Sequence, residues 1–168
     1  MRRAGRVFGS AFAVVAGVVA CSDQIGPDAK APLRLGQGFT ATLSPANEVP
    51  ALVDPATGTA SAVLANDTTL ILTLNVAAVD SPTLAHIHIG AAGVNGGILV
   101  NIYTGPTRGA LAYTGGLGSF QVNRGSRAAA AVNFDSLLTL MRTGDVYVNV
   151  HNRKYPGGVM RGQVQLQP

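Results

Sequence analysis

Short runs of alternating apolar and polar residues are the feature that most limits how this chain can fold. A period of two is typical of β-strands, because successive side chains of a strand point to opposite faces of the sheet. Clusters rich in glycine, proline, asparagine and aspartate separate the runs and favour turns. The runs predict strands at residues 39–43, 58–64, 69–77, 84–90, 98–104, 146–151 and 159–166. Many short strands joined by turns are typical of an antiparallel all-β sandwich or barrel, and we predict a Greek-key-type β-sandwich.

One short helix is expected within this β pattern. Residues 135–142 carry leucines and a methionine at helical spacing. Asn133 or Asp135 could cap the first turn, and Gly144 could end the helix. The predicted class is therefore all-β with one short helix.

Glycine-rich segments predict the longer loops. Residues 90–97 follow a predicted strand and contain Asn95-Gly96, a dipeptide that favours a tight reversal. Residues 105–118 are also rich in glycine and predict a loop. Two segments fit neither pattern clearly: residues 120–122 and 127–132.

The first 20 residues have the character of an export signal. Arg2, Arg3 and Arg6 form a basic head, and residues 7–19 form a short apolar run. A basic head, a short apolar run and a small residue at the cleavage point are typical of secretory signal peptides. We therefore expect residues 1–20 to be a signal peptide that the mature protein lacks.

Cys21 follows this segment directly and is the only cysteine of the chain. Residues 18–21, Val-Val-Ala-Cys, resemble the lipobox of bacterial lipoproteins. That resemblance implies that Cys21 becomes a lipid-modified N-terminus that anchors the protein to a membrane; the alternative is an ordinary signal peptide with an incidental cysteine. Residues 21–37 then form a flexible tether and residues 38–168 the domain. The expected location is the bacterial cell envelope, at the periplasmic face or the cell surface.

The charge balance does not favour a nucleic-acid partner. The formal net charge of +4 comes from 12 basic and 8 acidic residues. Three basic residues belong to the predicted signal peptide, so nine basic residues face eight acidic ones in the rest of the chain. So small a surplus is no argument for nucleic-acid binding. The expected partner is the membrane, through the lipid on Cys21; the sequence does not identify a protein or cell-surface polymer partner.

All three histidines fall on two predicted strands. In the strand at residues 84–90, His86 and His88 share one face; in the strand at residues 146–151, Tyr147, Asn149 and His151 share one face. If these polar faces meet, three imidazoles could surround one ion and leave a position open. Such a ligand set suits copper or zinc.

The alternative for these histidines is structural. His86 and His88 could hydrogen-bond carbonyl groups of residues 90–97 or of the turn at residues 155–158. The sequence leaves both interpretations open, and it contains no certain cofactor site.

Three motifs together resemble the chordin domain, CHRD. They are Leu-Ser-Pro-Ala-Asn-Glu-Val-Pro at residues 43–50, Ala-His-Ile-His-Ile-Gly with its glycine-rich continuation at residues 85–96, and residues 144–151 followed by 155–162. One departure is Ala51, where the family often has a second proline. The resemblance implies a β-sandwich module of secreted or surface proteins and implies little chemistry.

A fainter resemblance is to the copper/zinc superoxide dismutase family. The His-x-His strand, the later Val-His strand and Gly-x-x-Arg near the C-terminus are shared with it. The resemblance implies copper ligands at His86, His88 and His151 and an anion-guiding role for Arg161. The zinc site and the structural disulfide of that family have no counterpart here.

Other catalytic constellations are not found. Glu48 is the only glutamate, and a carboxylate in a proline-flanked turn is expected to be a cap or an ion-pair partner, with Arg161 as the candidate, rather than a general base. Asn149 is expected to order a strand end. We therefore predict a lipid-anchored, non-catalytic binding or structural module; the alternative is a copper- or zinc-binding protein, with dismutase-like redox activity as one form.

Overall fold

The computed structural model describes residues 33–105, 112–125 and 132–168. The predicted signal peptide, Cys21 and most of the predicted tether lie outside the described residues, as does nearly all of the ambiguous segment 127–132. Within the described ranges, no helix is long and apolar enough to cross a membrane.

The described residues form nine β-strands and one α-helix. The strands are β1 Gly38–Leu43, β2 Thr57–Asn66, β3 Thr69–Val79, β4 Pro82–Ile89, β5 Ile98–Thr104, β6 Tyr113–Asn123, β7 Val146–Asn152, β8 Met160–Gln163 and β9 Gln165–Leu166. The helix α1, Phe134–Thr143, connects β6 to β7. All strand pairs are antiparallel, which confirms the predicted class.

The strands form two sheets that enclose the core. One sheet has the order β6-β3-β2-β1-β9 and the other has the order β5-β4-β7-β8. The neighbours β3 and β6, and likewise β4 and β7, are not consecutive in the sequence, so the chain crosses between sheets as a Greek-key-type sandwich requires. Apolar side chains from both sheets and from α1 form one buried cluster between them.

The chain changes sheets within the last predicted strand. Residues 159–166 were predicted as one strand, but β8 pairs with β7 and β9 pairs with β1 in the other sheet. Between them Val164 is buried and donates its N–H to the carbonyl of Val146. The prediction of a single strand was wrong because the apolar and polar residues keep alternating across the bend, so the sequence shows no break where the chain changes sheets.

The predicted loop at residues 105–118 also needs correction. Its second half belongs to β6, which pairs with β3 at the edge of the larger sheet. This strand is rich in glycine and mostly faces solvent, so its sequence shows little alternation. Backbone pairing with β3, with two register shifts, supplies its regularity instead.

The short helix forms as predicted. Asn133 caps it, because its side-chain oxygen accepts the N–H of Ser136 at 2.8 Å. Gly144 ends it in a left-handed conformation. Phe134 and Leu137 are buried and belong to the core cluster, so the helix packs its apolar face on the core.

Gly162 of β8 offers a test of this packing. A Cβ atom there would lie 2.3 Å from the carbonyl oxygen of Thr42 in β1, a contact that only a shift of backbone could relieve. We expect Gly162→Ala to lower the free energy of unfolding by about 3 kcal/mol, measured by urea denaturation. Gly157→Ala is the matched control, since its Cβ would meet no atom within 4 Å. Equal stability of the two variants would contradict the described contact.

Candidate metal centre

The three histidines lie on the outer face of the four-stranded sheet, the face turned away from the core. In β4, Ala85 and Ile87 point into the core, and His86 and His88 point outward. The register aligns Ile87 with Val148 and His86 with Asn149, which brings the polar face of β7 beside that of β4. The two faces therefore meet, as the metal hypothesis requires.

This outer face is not open to solvent. The relative exposures of His86, His88 and His151 are 5%, 9% and 6%. Three connections cover them: residues 44–50, the β4–β5 loop at residues 90–97, and the β7–β8 turn at residues 153–159. Strand β7 is consequently buried on both faces along its whole length.

One nitrogen of each imidazole points toward the other two. These three ring nitrogens lie within 4.8 Å of one another. The closest pair is His86 Nδ1 and His151 Nε2, which are 3.0 Å apart. His88 Nε2 is buried and has no hydrogen-bond partner among the described residues.

The remaining Nδ1 atoms of two histidines are held by loop carbonyls. His88 Nδ1 lies 3.0 Å from the carbonyl oxygen of Gly96, and His151 Nδ1 lies 2.9 Å from that of Pro156. A carbonyl only accepts, so both Nδ1 atoms carry a proton. His88 Nε2 and His151 Nε2 therefore present lone pairs. His86 Nδ1 then donates to His151 Nε2, and transfer of that proton to its own Nε2 would free a third lone pair.

The environment favours the neutral form of all three rings. Burial, with the nearby imidazoles of His151 and His88, lowers the pKa of His86 to about 4. Burial also lowers the pKa of His88, whereas the bond to Gly96 acts in the opposite direction. The nearby His151 and the charge of Arg161 lower this pKa further. Burial lowers the pKa of His151 more than its bond to Pro156 and the carboxylate of Glu48 raise it. Neutral imidazole is the form that binds metals.

Tyr147 and Gly96 position His88. The Tyr147 ring stacks on the His88 ring with centroids 5.0 Å apart and planes within 9°. The phenol oxygen of Tyr147 accepts the N–H of Gly96 at 3.1 Å, and the carbonyl of the same glycine accepts from His88. A Cβ on Gly96 would lie 1.6 Å from the carbonyl oxygen of Ile89, so only glycine fits.

A buried ion pair lies beside the histidines. Arg161 donates its Nε–H to Glu48 Oε2 at 2.9 Å, and its Nη2 lies 2.8 Å from the same oxygen as an ion pair. Arg161 and Glu48 are only 5% and 6% exposed. Asn149 Nδ2 donates to Glu48 Oε1 at 3.3 Å. The Arg161 guanidinium also lies over the Tyr147 ring, 4.5 Å from its centroid. One hydrogen-bonded network beside the imidazoles therefore contains Glu48, Arg161 and Asn149.

The β4–β5 loop joins this network through Asn95. Its side-chain oxygen accepts from Arg161 Nη2, and its amide donates to the carbonyl of Val49 at 2.9 Å. The reversal expected at Asn95-Gly96 lies earlier in the loop, where Val94 N–H bonds the carbonyl of Ala91 and Gly93 has a φ of 79°. Asn95 was not identified as a site residue from the sequence, because its partners are 46 and 66 residues distant.

Breaking the ion pair should be costly. Glu48→Gln leaves the Arg161 charge buried without its partner, so we expect a loss of about 3–5 kcal/mol in the free energy of unfolding. The double variant Glu48→Gln/Arg161→Met should recover part of that loss, because it removes the unpaired charge. Urea denaturation of single and double variants measures both.

An exposed ion pair supplies the control. Arg124 and Asp135 pair with side chains 44% and 67% exposed, so Asp135→Asn should lower the free energy of unfolding far less than Glu48→Gln does. A loss from Glu48→Gln as small as that of Asp135→Asn would contradict the role given to the buried pair.

Comparison with known proteins identifies the fold family. A model of the CHRD domain matches residues 39–164, which run from the second residue of β1 to just past the end of β8. No curated protein and no solved structure matches the chain. The matched region covers well over half of the chain and contains all three histidines, Glu48 and Arg161. The protein therefore belongs to the CHRD domain family.

Proposed function

We propose that this CHRD domain binds one copper or zinc ion through His86, His88 and His151. The observation that carries the proposal is the convergence of three buried, neutral imidazole nitrogens on the outer face of β4 and β7. His88 Nε2, buried and without a hydrogen-bond partner among the described residues, is the strongest single sign.

The donor set fits these metals. Three imidazoles without a thiolate or carboxylate among them suit borderline ions such as Cu(II) and Zn(II). In metal sites, a ligating histidine usually donates its other ring N–H to a carbonyl or carboxylate, which fixes its orientation. His88 and His151 do this through Gly96 and Pro156. The loop-anchoring and metal-binding interpretations of the histidines are therefore compatible.

Binding would draw the rings together. The nitrogens are separated by up to 4.8 Å, whereas bonds of about 2 Å to one ion place two nitrogens roughly 3.5 Å apart. His86 and His151 are already close enough, at 3.0 Å. The adjustment falls mainly on His88.

Three protein ligands leave one position for an exogenous ligand, and a bound Cu or Zn ion would act there as a Lewis acid. Arg161, the expected anion guide, is 5% exposed and shares its charge with Glu48. The geometry thus favours a metal-binding module without catalysis. Dismutase-like redox activity stays a prediction of the fainter resemblance.

We also propose that the protein is a lipid-anchored component of the bacterial cell envelope. One support is the sequence of residues 1–21, which lie outside the described residues and resemble a lipoprotein signal. The other is membership of the CHRD family, since the resemblance to that family implies a module of secreted or surface proteins. In this proposal the predicted tether at residues 21–37 connects the domain to the lipid on Cys21, so the domain acts close to the membrane surface.

Metal loading tests the first proposal. After incubation with Cu(II) or Zn(II) and removal of free metal, the purified chain should retain about one equivalent by elemental analysis. His86→Gln/His88→Gln should retain only a small fraction, because a single imidazole remains. Gln121→Ala, an exposed change in β6 of the other sheet, is the control and should match the parent.

Equal metal retention by the double histidine variant and the parent would refute the site. Thermal unfolding of each variant verifies that the comparison is made between folded proteins.

Lipid attachment has its own test. Expressed in a bacterial host with a radiolabelled fatty acid, the parent should carry the label and sediment with membranes. Cys21→Ser should lose both properties, because the sulfur that accepts the lipid is gone. Label in the serine variant, or an unlabelled parent in the cytoplasm, would contradict the anchor.

A further inference from the structure

The buried ion pair also lines a cleft that none of the three histidines lines. It lies between residues 44–50 and the β4–β5 loop, has a volume of about 350 Å³, and has Arg161 and Gln163 of β8 at its floor. This volume is within the range of small-ligand pockets, at its lower end. Neither the family match nor the proposed metal site gives the cleft a role.

Two amide oxygens in the cleft are unused. Asn47 donates Nδ2 to the carbonyl of Arg161 at 3.2 Å, and Gln163 donates Nε2 to the carbonyls of Gly90 and Gly144. These carbonyl partners determine the orientation of both amides. The Oδ1 of Asn47 and the Oε1 of Gln163 accept no hydrogen bond from the described residues. Both residues line the cleft, so a ligand there can donate O–H or N–H groups to these oxygens.

The charges of the cleft favour a ligand without net charge. Its only formal charges, Glu48 and Arg161, are 2.8 Å apart and neutralise each other. An anion would find no unpaired cation and would face the two amide oxygens. One loosely engaged donor remains, since Arg161 Nη1 contacts the carbonyl of Val94 only at 3.4 Å. That N–H can donate to a hydroxyl oxygen.

The walls add small apolar surfaces. Ala46 and Val49 form one side, and Ala92 and Gly93 form the other. Val49 is 37% exposed, so its methyl groups are available to a ligand. Apolar walls around a few directed polar groups are the usual composition of a small-molecule site.

We infer that this cleft binds one neutral saccharide unit, as a monosaccharide or as a residue of a cell-surface polymer. Its hydroxyl groups supply donors to Asn47 Oδ1 and Gln163 Oε1 and accept from Arg161, while its C–H face packs on Val49 and Ala46. The sequence did not identify the partner, and the cleft points to a polymer that contains neutral sugar units. The inference does not depend on metal at the histidines.

The test uses three sugars that differ in charge: glucose, glucosamine and glucuronate. Titration into the ¹⁵N-labelled full chain should give saturable shifts at the side-chain amides of Asn47 and Gln163 with glucose, at millimolar affinity. The cationic and anionic sugars should bind at least about tenfold more weakly, because no unpaired charge compensates theirs.

Two variants that fill the cleft separate specific binding from general affinity. Ala46→Trp and Ala92→Trp replace exposed residues on opposite walls, and each should weaken glucose binding at least about tenfold. Ala65→Trp, at an exposed position of β2, is the matched control and should bind as the parent does. Folding is checked by thermal unfolding, and two independent variants guard against the failure of one.

Equal affinity for glucose, glucosamine and glucuronate would overturn the inference. Unchanged glucose binding in both cleft variants would overturn it too. So would a titration in which the amide shifts of the parent do not saturate even at glucose concentrations well above millimolar. Metal loading of the same proteins keeps the two sites distinct. His86→Gln, which leaves the bond from His88 to the β4–β5 loop in place, should weaken metal retention but still bind glucose, whereas Ala46→Trp should retain metal.

Discussion

The ion pair between Glu48 and Arg161 is the interaction on which the arrangement of the outer face depends. Arg161 belongs to β8, and Glu48 belongs to the segment at residues 44–50. Asn95 attaches the β4–β5 loop to both elements, because it bonds Arg161 of β8 and the carbonyl of Val49 in that segment. Removing two charges from water costs several kcal/mol, and the pair is tolerated because the carboxylate accepts a further hydrogen bond from Asn149 and the guanidinium donates further ones to Asn95 and Val94. A sheet face that would otherwise meet solvent is thereby covered by loops, and the histidines beneath are excluded from water.

This covering explains how the histidines hold loops and converge at the same time. Each imidazole has two nitrogens, and in His88 and His151 one of them bonds a loop carbonyl. The carbonyl determines which nitrogen carries the proton, and so directs the lone pair of the other toward the centre. Loop closure and the alignment of the imidazoles are therefore one structural event. The cleft depends on the same ion pair, since Glu48 and Arg161 both line it.

Local patterns predicted the parts of this fold that depend on near neighbours. Alternation indicated β4 and β7 and the faces of their histidines, and two candidate caps, Asn133 and Asp135, marked the start of α1 to within two residues. The pairing of β4 with β7 could only be hypothesised, because 65 residues separate His86 from His151. The bend at Val164 was hidden by unbroken alternation, and β6 was hidden by its glycines. Asn95 was overlooked because its role arises only when three distant segments meet.

The stacking of His88, Tyr147 and Arg161 has a spectroscopic consequence. The chain contains no tryptophan and four tyrosines, so its intrinsic ultraviolet emission comes from tyrosine alone. Tyr147 is the one of these whose ring lies against an imidazole of the cluster, 5.0 Å away. A paramagnetic ion at the histidines would quench that ring far more strongly than a diamagnetic one. Tyrosine emission is thus a built-in, label-free reporter that distinguishes cupric ion from zinc.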